Sequence, residues 1–223
     1  MVTVQRRLTA ETVSRWVHAA IAVIVLGSLV IDLALIFTGG ADANPGQAAG
    51  GLGTRLWRLF SFFTIQSNLL VLAASLVLAR RPTRDGPVWR VVRLDALLGI
   101  VITGLVFAIV LAPMVHLTGA ALVATIGFHY VSPWAFLAAW LLLGPRPRMT
   151  WGTVAAAFLW PVAWLLYIFT QGAFTRWYPY PFLDVTKLGF ADALRNALLV
   201  VAVAVVLAAV FKLLDRHLPA PLR

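Results

Sequence analysis

Six runs of about 20 apolar residues, each long enough to cross roughly 30 Å of hydrocarbon, fill most of this chain. They lie near 16–37, 58–79, 94–113, 122–143, 152–171 and 190–213, and the segments between them are short. Hydrocarbon offers a backbone no water, so each run must satisfy its own peptide groups by coiling into a helix. Only 12% of the 223 residues are charged and 61% are hydrophobic, a balance that cannot cover a water-soluble domain of this size. The sequence therefore predicts an all-α polytopic membrane protein, with one six-helix transmembrane bundle over 1–223. No internal repeat, linker or second domain interrupts the pattern. Turn signals mark the loops: Gly39–Gly40, Asn44–Pro45–Gly46, Arg81–Pro82, Gly144–Pro145 and Tyr178–Pro179.

The charged residues orient the bundle. Arg6, Arg7, Arg15, Arg80, Arg81, Arg84, Arg90, Arg93, Arg146, Arg148, Lys212, Arg216 and Arg223 fall on one side, and Arg55, Arg58, Arg176 and Lys187 on the other. By the positive-inside rule both termini are expected in the cytoplasm of a multi-pass cell-membrane protein. The formal net charge of +10 is thus a topology signal, since the basic residues sit in loops. No nucleic-acid partner is expected. Arg6–Arg7 ahead of an apolar run, with Ala41–Asp42–Ala43 after it, imitate a secretory signal. That run exceeds the usual signal core and carries Asp32, so an uncleaved span is expected. No cysteine is present, which removes disulfides, thiolate ligands and thiol nucleophiles.

Depth follows from orientation at about 1.5 Å per residue. Thr64 in the second span and His129 in the fourth fall at nearly equal depth, about 9–10 Å below the outer boundary. Asp32 in the first span and Asn196 in the last lie close to the same level. Thr64, Ser67, Asn68 and Val71 stand at i, i+3, i+4, i+7 and share one helix face. Gln66 points to another neighbour. His129 and Ser132 are expected on one face of the fourth span, with Pro133 removing a helix hydrogen bond beside them. Ionisable and amide groups inside a membrane face a bundle interior, so these residues predict a polar cavity open to the outside.

Each of these residues also has a structural reading. A membrane threonine commonly bonds a nearby carbonyl or a neighbouring helix. An imidazole in hydrocarbon needs at least one partner. Asp32 has two options, pairing with Arg55 or Arg58, or orienting His129. His18, His116 and His217 do not match the depth of His129, which disfavours bis-histidine haem, and His129 with Asp32 offers too few ligands for zinc. No metal and no cofactor is expected. The segment Thr175–Asp184, rich in aromatics and proline, reads either as an interfacial aromatic belt or as a lid whose Tyr178, Tyr180, Phe182 and Asp184 cover the cavity.

Three segments, in this order and spacing, carry a family likeness: Phe62-Phe63-Thr64-Ile65-Gln66-Ser67-Asn68-Leu69-Leu70, His129-Tyr130-Val131-Ser132-Pro133 and Tyr178-Pro179-Tyr180-Pro181-Phe182-Leu183-Asp184. Together they resemble the bacterial branch of the androgen-induced protein family, small six-span integral membrane proteins. Eukaryotic members of that family are threonine hydrolases of fatty acid esters of hydroxy fatty acids. The resemblance implies Thr64 as nucleophile and His129 as base, and membrane lipids and a lipid-like substrate as partners. Gln66-Ser67-Asn68 follows Thr64 here in the bacterial style. On this reading Ser67 or Asn68, one turn further along the face, donates to the oxyanion, and Asp32, Ser132 and Asn196 complete a polar cavity. Two other classes remain open: a binder or transporter of a small amphiphile, and a structural membrane protein whose polar residues lock helices together. The sequence gives no oligomeric state.

Overall fold

The computed structural model describes residues 2–38, 50–146, 148–219 and 221–222, with side chains from residue 9 onward. The turn signals Gly39–Gly40 and Asn44–Pro45–Gly46, the Ala41–Asp42–Ala43 motif and the side chains of Arg6, Arg7 and Arg223 lie outside the described residues. The chain is a helical bundle, and six of its helices are long and apolar enough to cross a membrane: Thr9–Phe37, Phe63–Arg80, Pro87–Met114, Gly119–Leu143, Trp151–Thr175 and Phe190–His217. In chain order the elements are α1 (Val2–Phe37), α2 (Leu52–Ser61), α3 (Phe63–Arg80), α4 (Pro87–Val106), α5 (Gly119–Ile126), α6 (Ser132–Leu143), α7 (Trp151–Ala157), α8 (Leu159–Thr175), α9 (Val185–Leu188) and α10 (Phe190–His217).

α4 is the axis of the bundle. Every residue from Arg93 to Gly104 is buried, as befits a helix that is apolar on all sides. α3, α6 and α7 pack around it, and α1 lies across α3, α5 and α6. The termini of the bundle and the Trp177–Asp184 segment lie at opposite ends, called here the terminal end and the loop end.

At the terminal end, charged groups are matched against charges and carbonyls. Arg146, 2% exposed, donates to the carbonyls of Trp140 (3.0 Å), Leu141 (2.8 Å) and Pro219 (2.5 Å). Arg93 donates to Pro145 and Gly144, and Asp215 accepts the amides of Arg148 (2.6 Å) and Met149 (2.7 Å). Asp85 grips Arg90 with both oxygens (2.7 and 2.6 Å) and also meets Arg148.

The second span begins later than the apolar run implies. A break at Phe62 (φ −66°, ψ 130°) ends α2 and starts α3, so the expected span at 58–79 becomes Phe63–Arg80. Residues 52–61 form a separate helix with one polar side, including Arg55 and Arg58, and bury Leu59 and Ser61. No glycine or proline marks the break, and side chains from elsewhere satisfy it. Trp164 Nε1 donates to the Ser61 carbonyl (2.9 Å), Gln66 Nε2 to the Phe60 carbonyl (3.0 Å), and the Thr64 amide to the Tyr180 hydroxyl (3.1 Å). Gln66 Oε1 takes the Trp160 indole N–H (3.1 Å). Every backbone group opened at membrane depth must find a partner inside the protein, and here the partners come from α3, α8 and the loop.

Two further irregularities lie at the same end. The helices of the third and fourth spans widen to π geometry over Phe107–Leu111 and Gly127–Val131. Proline stands just after each widened turn, at Pro113 and Pro133, and removes an amide from the ladder. Such bulges re-aim the side chains they carry.

Candidate active site

The break in the second span and the bulge in the fourth bring Thr64 and His129 together. Thr64 Oγ1 lies 3.3 Å from His129 Nε2. His129 Nδ1 is 3.1 Å from the carbonyl of Thr125, and a carbonyl can only accept. The proton therefore resides on Nδ1, leaving the Nε2 lone pair facing Thr64. Phe107, carried on the other π segment, lies against the imidazole face with ring centres 3.9 Å apart and planes 25° from parallel. The ring is thus held both by a hydrogen bond along its edge and by an aromatic ring over its face.

Tyr180 completes the cluster. Its hydroxyl is 3.1 Å from the Thr64 amide and 3.2 Å from Thr64 Oγ1. Thr64 has one hydroxyl proton, which points to His129 Nε2, so Tyr180 is the donor to Oγ1 while it accepts from the amide. The polar chain then runs in one direction: Thr64 N–H to Tyr180, Tyr180 O–H to Thr64 Oγ1, Thr64 O–H to His129 Nε2, His129 Nδ1–H to Thr125. Thr64 occupies the first turn of α3, where an amide has no partner within its own helix, and the positive end of the helix dipole favours developing negative charge there. Burial pushes the Tyr180 hydroxyl up to about 12, so it stays protonated as a donor.

Tyr180 is set in place by its rings and its loop. It stacks on Phe182 (5.3 Å, 10°) and meets Phe62 edge-on (5.6 Å, 74°). Asn196 Nδ2 holds the Phe182 carbonyl (3.0 Å). Asp184 Oδ1 accepts the Thr186 amide (3.0 Å) and hydroxyl (2.5 Å), which starts α9. Tyr178 lies against Gly172, where any Cβ would overlap its ring. Trp177, Tyr178 and Tyr180 are all buried, so these three rings pack inward against the bundle.

Two cavities meet at Thr64 and Tyr180. The wide one, about 410 Å³, is walled by Thr64, His129 and Tyr180 together with Asp32, Arg55, Asp184 and Lys187. The narrow one, about 80 Å³, runs between α3, α4, α8 and α10 and is lined almost wholly by apolar and aromatic side chains.

The other expected site residues fall elsewhere. Asn68 is buried, but its Nδ2 already donates to the carbonyls of Thr64 (2.9 Å) and Phe128 (3.3 Å), which leaves no amide proton for an oxyanion. Ser67 shares the face of Thr64 but presses against Gly99 of α4. Neither lines the wide cavity. Asp32 does line it, yet the Thr125 carbonyl takes the place at His129 Nδ1 that Asp32 was expected to fill. Ser132 is buried and its hydroxyl has no partner. The π turn between it and His129 changes the phase, so the two do not share a face as a regular i, i+3 pair would. Asn196 secures the loop from outside the cavity. No protein-family model, curated protein or solved structure matches the chain.

Proposed function

We propose that the chain is an integral membrane lipid ester hydrolase, with Thr64 as nucleophile and His129 as general base. The observation that carries the reading is the Thr64 Oγ1 to His129 Nε2 approach of 3.3 Å on a cavity wall, with the imidazole tautomer fixed by Thr125. Thr64 Oγ attacks the ester carbonyl and its proton passes to His129 Nε2. The carbonyl oxygen becomes an oxyanion, and the Tyr180 hydroxyl, released from Thr64 Oγ1 as that oxygen is acylated, turns to donate to it. Collapse of that intermediate expels the alcohol, protonated by His129, and leaves an acyl ester on Thr64. Water from the wide cavity, deprotonated by His129, then releases the acid and restores the resting state. The cycle uses only this chain's own groups.

The likeness of the three segments to androgen-induced proteins supports the same chemistry, and we extend it to membership of that family. It also supports a cell-membrane location with the termini in the cytoplasm and the wide cavity facing out, consistent with the basic residues gathered at the terminal end. The test is covalent labelling by a lipid-like fluorophosphonate. Wild-type protein is expected to take one label, mapped to Thr64, and Thr64→Ala to take none; undiminished labelling of Thr64→Ala removes Thr64 as the nucleophile.

A second reading, a binder of a small amphiphile, is favoured by the size of the wide cavity and its mixed charges. Retention and flux of an ester across proteoliposomes, unchanged by Thr64→Ala and without hydrolysis, would select it.

A further inference from the structure

The narrow cavity holds one acidic group and no counter-charge. Asp95 lines it and is 8% exposed. The carboxylate makes no hydrogen bond among the described residues, and its Oδ1 is sealed from solvent without a partner. Asp95, Leu98, Gly99, Ile102, Thr103 and Val106 recur with helical period along α4 and all line the slot, so Asp95 belongs to its wall. Among the described residues no Lys, Arg or His lines it. Arg93, two residues away in sequence, is engaged instead with the carbonyls of Gly144 and Pro145. A carboxylate at membrane depth without a partner is costly, and a cation seated in the slot would relieve it.

The surroundings restrict what can carry that cation. A single carboxylate in an apolar and aromatic wall is too small a ligand set for a bare metal ion. An ammonium supplies both the positive charge and the N–H donors that the carboxylate oxygens lack. The rest of the wall suits hydrocarbon. Trp160 lies against α4 one turn to the loop side of Asp95, since a Cβ built on Gly99 would come 2.9 Å from its ring. Phe63 stacks on Trp160 with ring centres 4.7 Å apart. From Asp95 to Val106 the wall extends about 16 Å along α4, the length of an extended alkyl chain of about 12 carbons. A volume of about 80 Å³ leaves no space beside one such chain for a second chain or a sugar. The outer wall is made by α8 and α10, which also expose Leu166 and Leu198, so an amphiphile dissolved in the bilayer lies next to the slot.

We propose that the slot is a binding site for a single-chain cationic amphiphile, a primary alkylammonium. Its ammonium sits on Asp95 and its chain runs past Trp160 toward Thr64. An alcohol head brings a donor but no charge, and a carboxylate head is repelled. The chemistry of Thr64 and His129 does not enter, so this binding stands or falls apart from hydrolysis.

Three probes test it. They share an alkyl chain of about 12 carbons, brominated near its middle, and differ in the head: a primary amine, an alcohol and a carboxylic acid. Bromine quenches an indole that it touches, so Trp160 reports a chain in the slot. At neutral pH, with the protein in a non-ionic detergent, the amine is expected to bind wild type at least about tenfold tighter than either other probe. Asp95→Asn has the same shape and should erase that preference. Partition into micelles is common to both proteins, so the difference between them belongs to the carboxylate. Asp95→Leu, which replaces an unpaired acid by a side chain suited to the apolar wall, should fold, lose the preference and bind the alcohol at least as well as wild type does. Trp160→Phe should lose much of the quenching. No binding, no preference in wild type, or a preference that persists in Asp95→Asn overturns the proposal. Undiminished quenching in Trp160→Phe overturns it as well, because the chain would then lie outside the slot.

Discussion

The two ends of the bundle bury polar groups for opposite purposes. At the terminal end, Arg93, Arg146, Arg148, Asp85 and Asp215 are joined to each other and to loop carbonyls, and the space among them amounts to about 10 Å³. At the loop end, Thr64, His129 and Tyr180 form one directed chain of hydrogen bonds beside a cavity of about 410 Å³. The helices differ in the same sense. Three irregularities, at Phe62, Phe107–Leu111 and Gly127–Val131, gather around the site, while the terminal-end network lies beside one, at Phe158 between α7 and α8. Where polar groups are tied to one another and to carbonyls they hold helices. Where irregular backbone leaves space beside them, they are free to act on something else.

Substitutions at the two ends should therefore separate chemistry from stability. The largest effect is expected at His129. His129→Ala should slow fluorophosphonate labelling about 10²–10⁴-fold, the contribution of a positioned general base, with a small change in Tm. A large fall in Tm with it would make His129 a structural residue and erase the contrast.

Arg146→Leu should do the reverse. It strands the carbonyls of Leu141 and Pro219 and takes one of two donors from that of Trp140, at a cost of about 2 kcal/mol or more, while the labelling rate per folded molecule stays unchanged. Thermal unfolding in detergent alongside labelling reads both.

Tyr180→Phe should slow labelling about 10–100-fold by removing one donor from the oxyanion region. Because burial holds the Tyr180 hydroxyl up at about 12, wild-type labelling should show no loss assignable to this group as pH rises from about 8 to 10. A fall over that range in wild type that is absent in Tyr180→Phe would mean that the hydroxyl titrates early and is not sealed. The sign for stability is the same: a folded value above the unfolded one of about 10 lets the unfolded chain ionise first, so folding weakens only above that pH.

Asp85→Asn should be the mildest, about 1 kcal/mol or less, because the carboxylate is partly solvated. The hydrogen bond from Arg90 holds Asp85 well below the usual carboxylate range. Its stabilisation is complete above the unfolded value of about 4 and is lost as pH falls through the lower folded value. Acid unfolding that begins at the same pH in wild type and Asp85→Asn would show that this pair contributes nothing.

The six spans are legible in the sequence because hydrocarbon imposes length and apolarity on every one of them. The interior stripe Thr64–Ser67–Asn68–Val71 is legible from helical period alone, and all four residues are buried. Equal depth brought Thr64 and His129 to one level, but only packing fixes azimuth around the bundle. The break at Phe62 left little local trace because two of its three stabilising groups, Trp164 and Tyr180, come from about 100 residues away in sequence, and only Gln66 is near. The π turns shift phase by a fraction of a turn, which spoiled the expected pairing of His129 with Ser132 and gave the Nδ1 partner to Thr125. Tyr180 was legible as a loop aromatic, and its place on the Thr64 amide was not, since loop closure over a site is a tertiary event. The short turn between α3 and α4 could have placed Asp95 opposite the polar stripe, had antiparallel register been counted from it.

The most direct test of the central claim is a search for the acyl-enzyme. Purified protein in detergent is incubated with a long-chain acyl ester, quenched in acid and analysed by intact-mass and peptide mass spectrometry. The account predicts fatty acid release, an acyl adduct on the peptide containing Thr64, neither of them in Thr64→Ala, and slower release in His129→Ala. Fatty acid release by Thr64→Ala at the wild-type rate, or an adduct on any other residue, would contradict it.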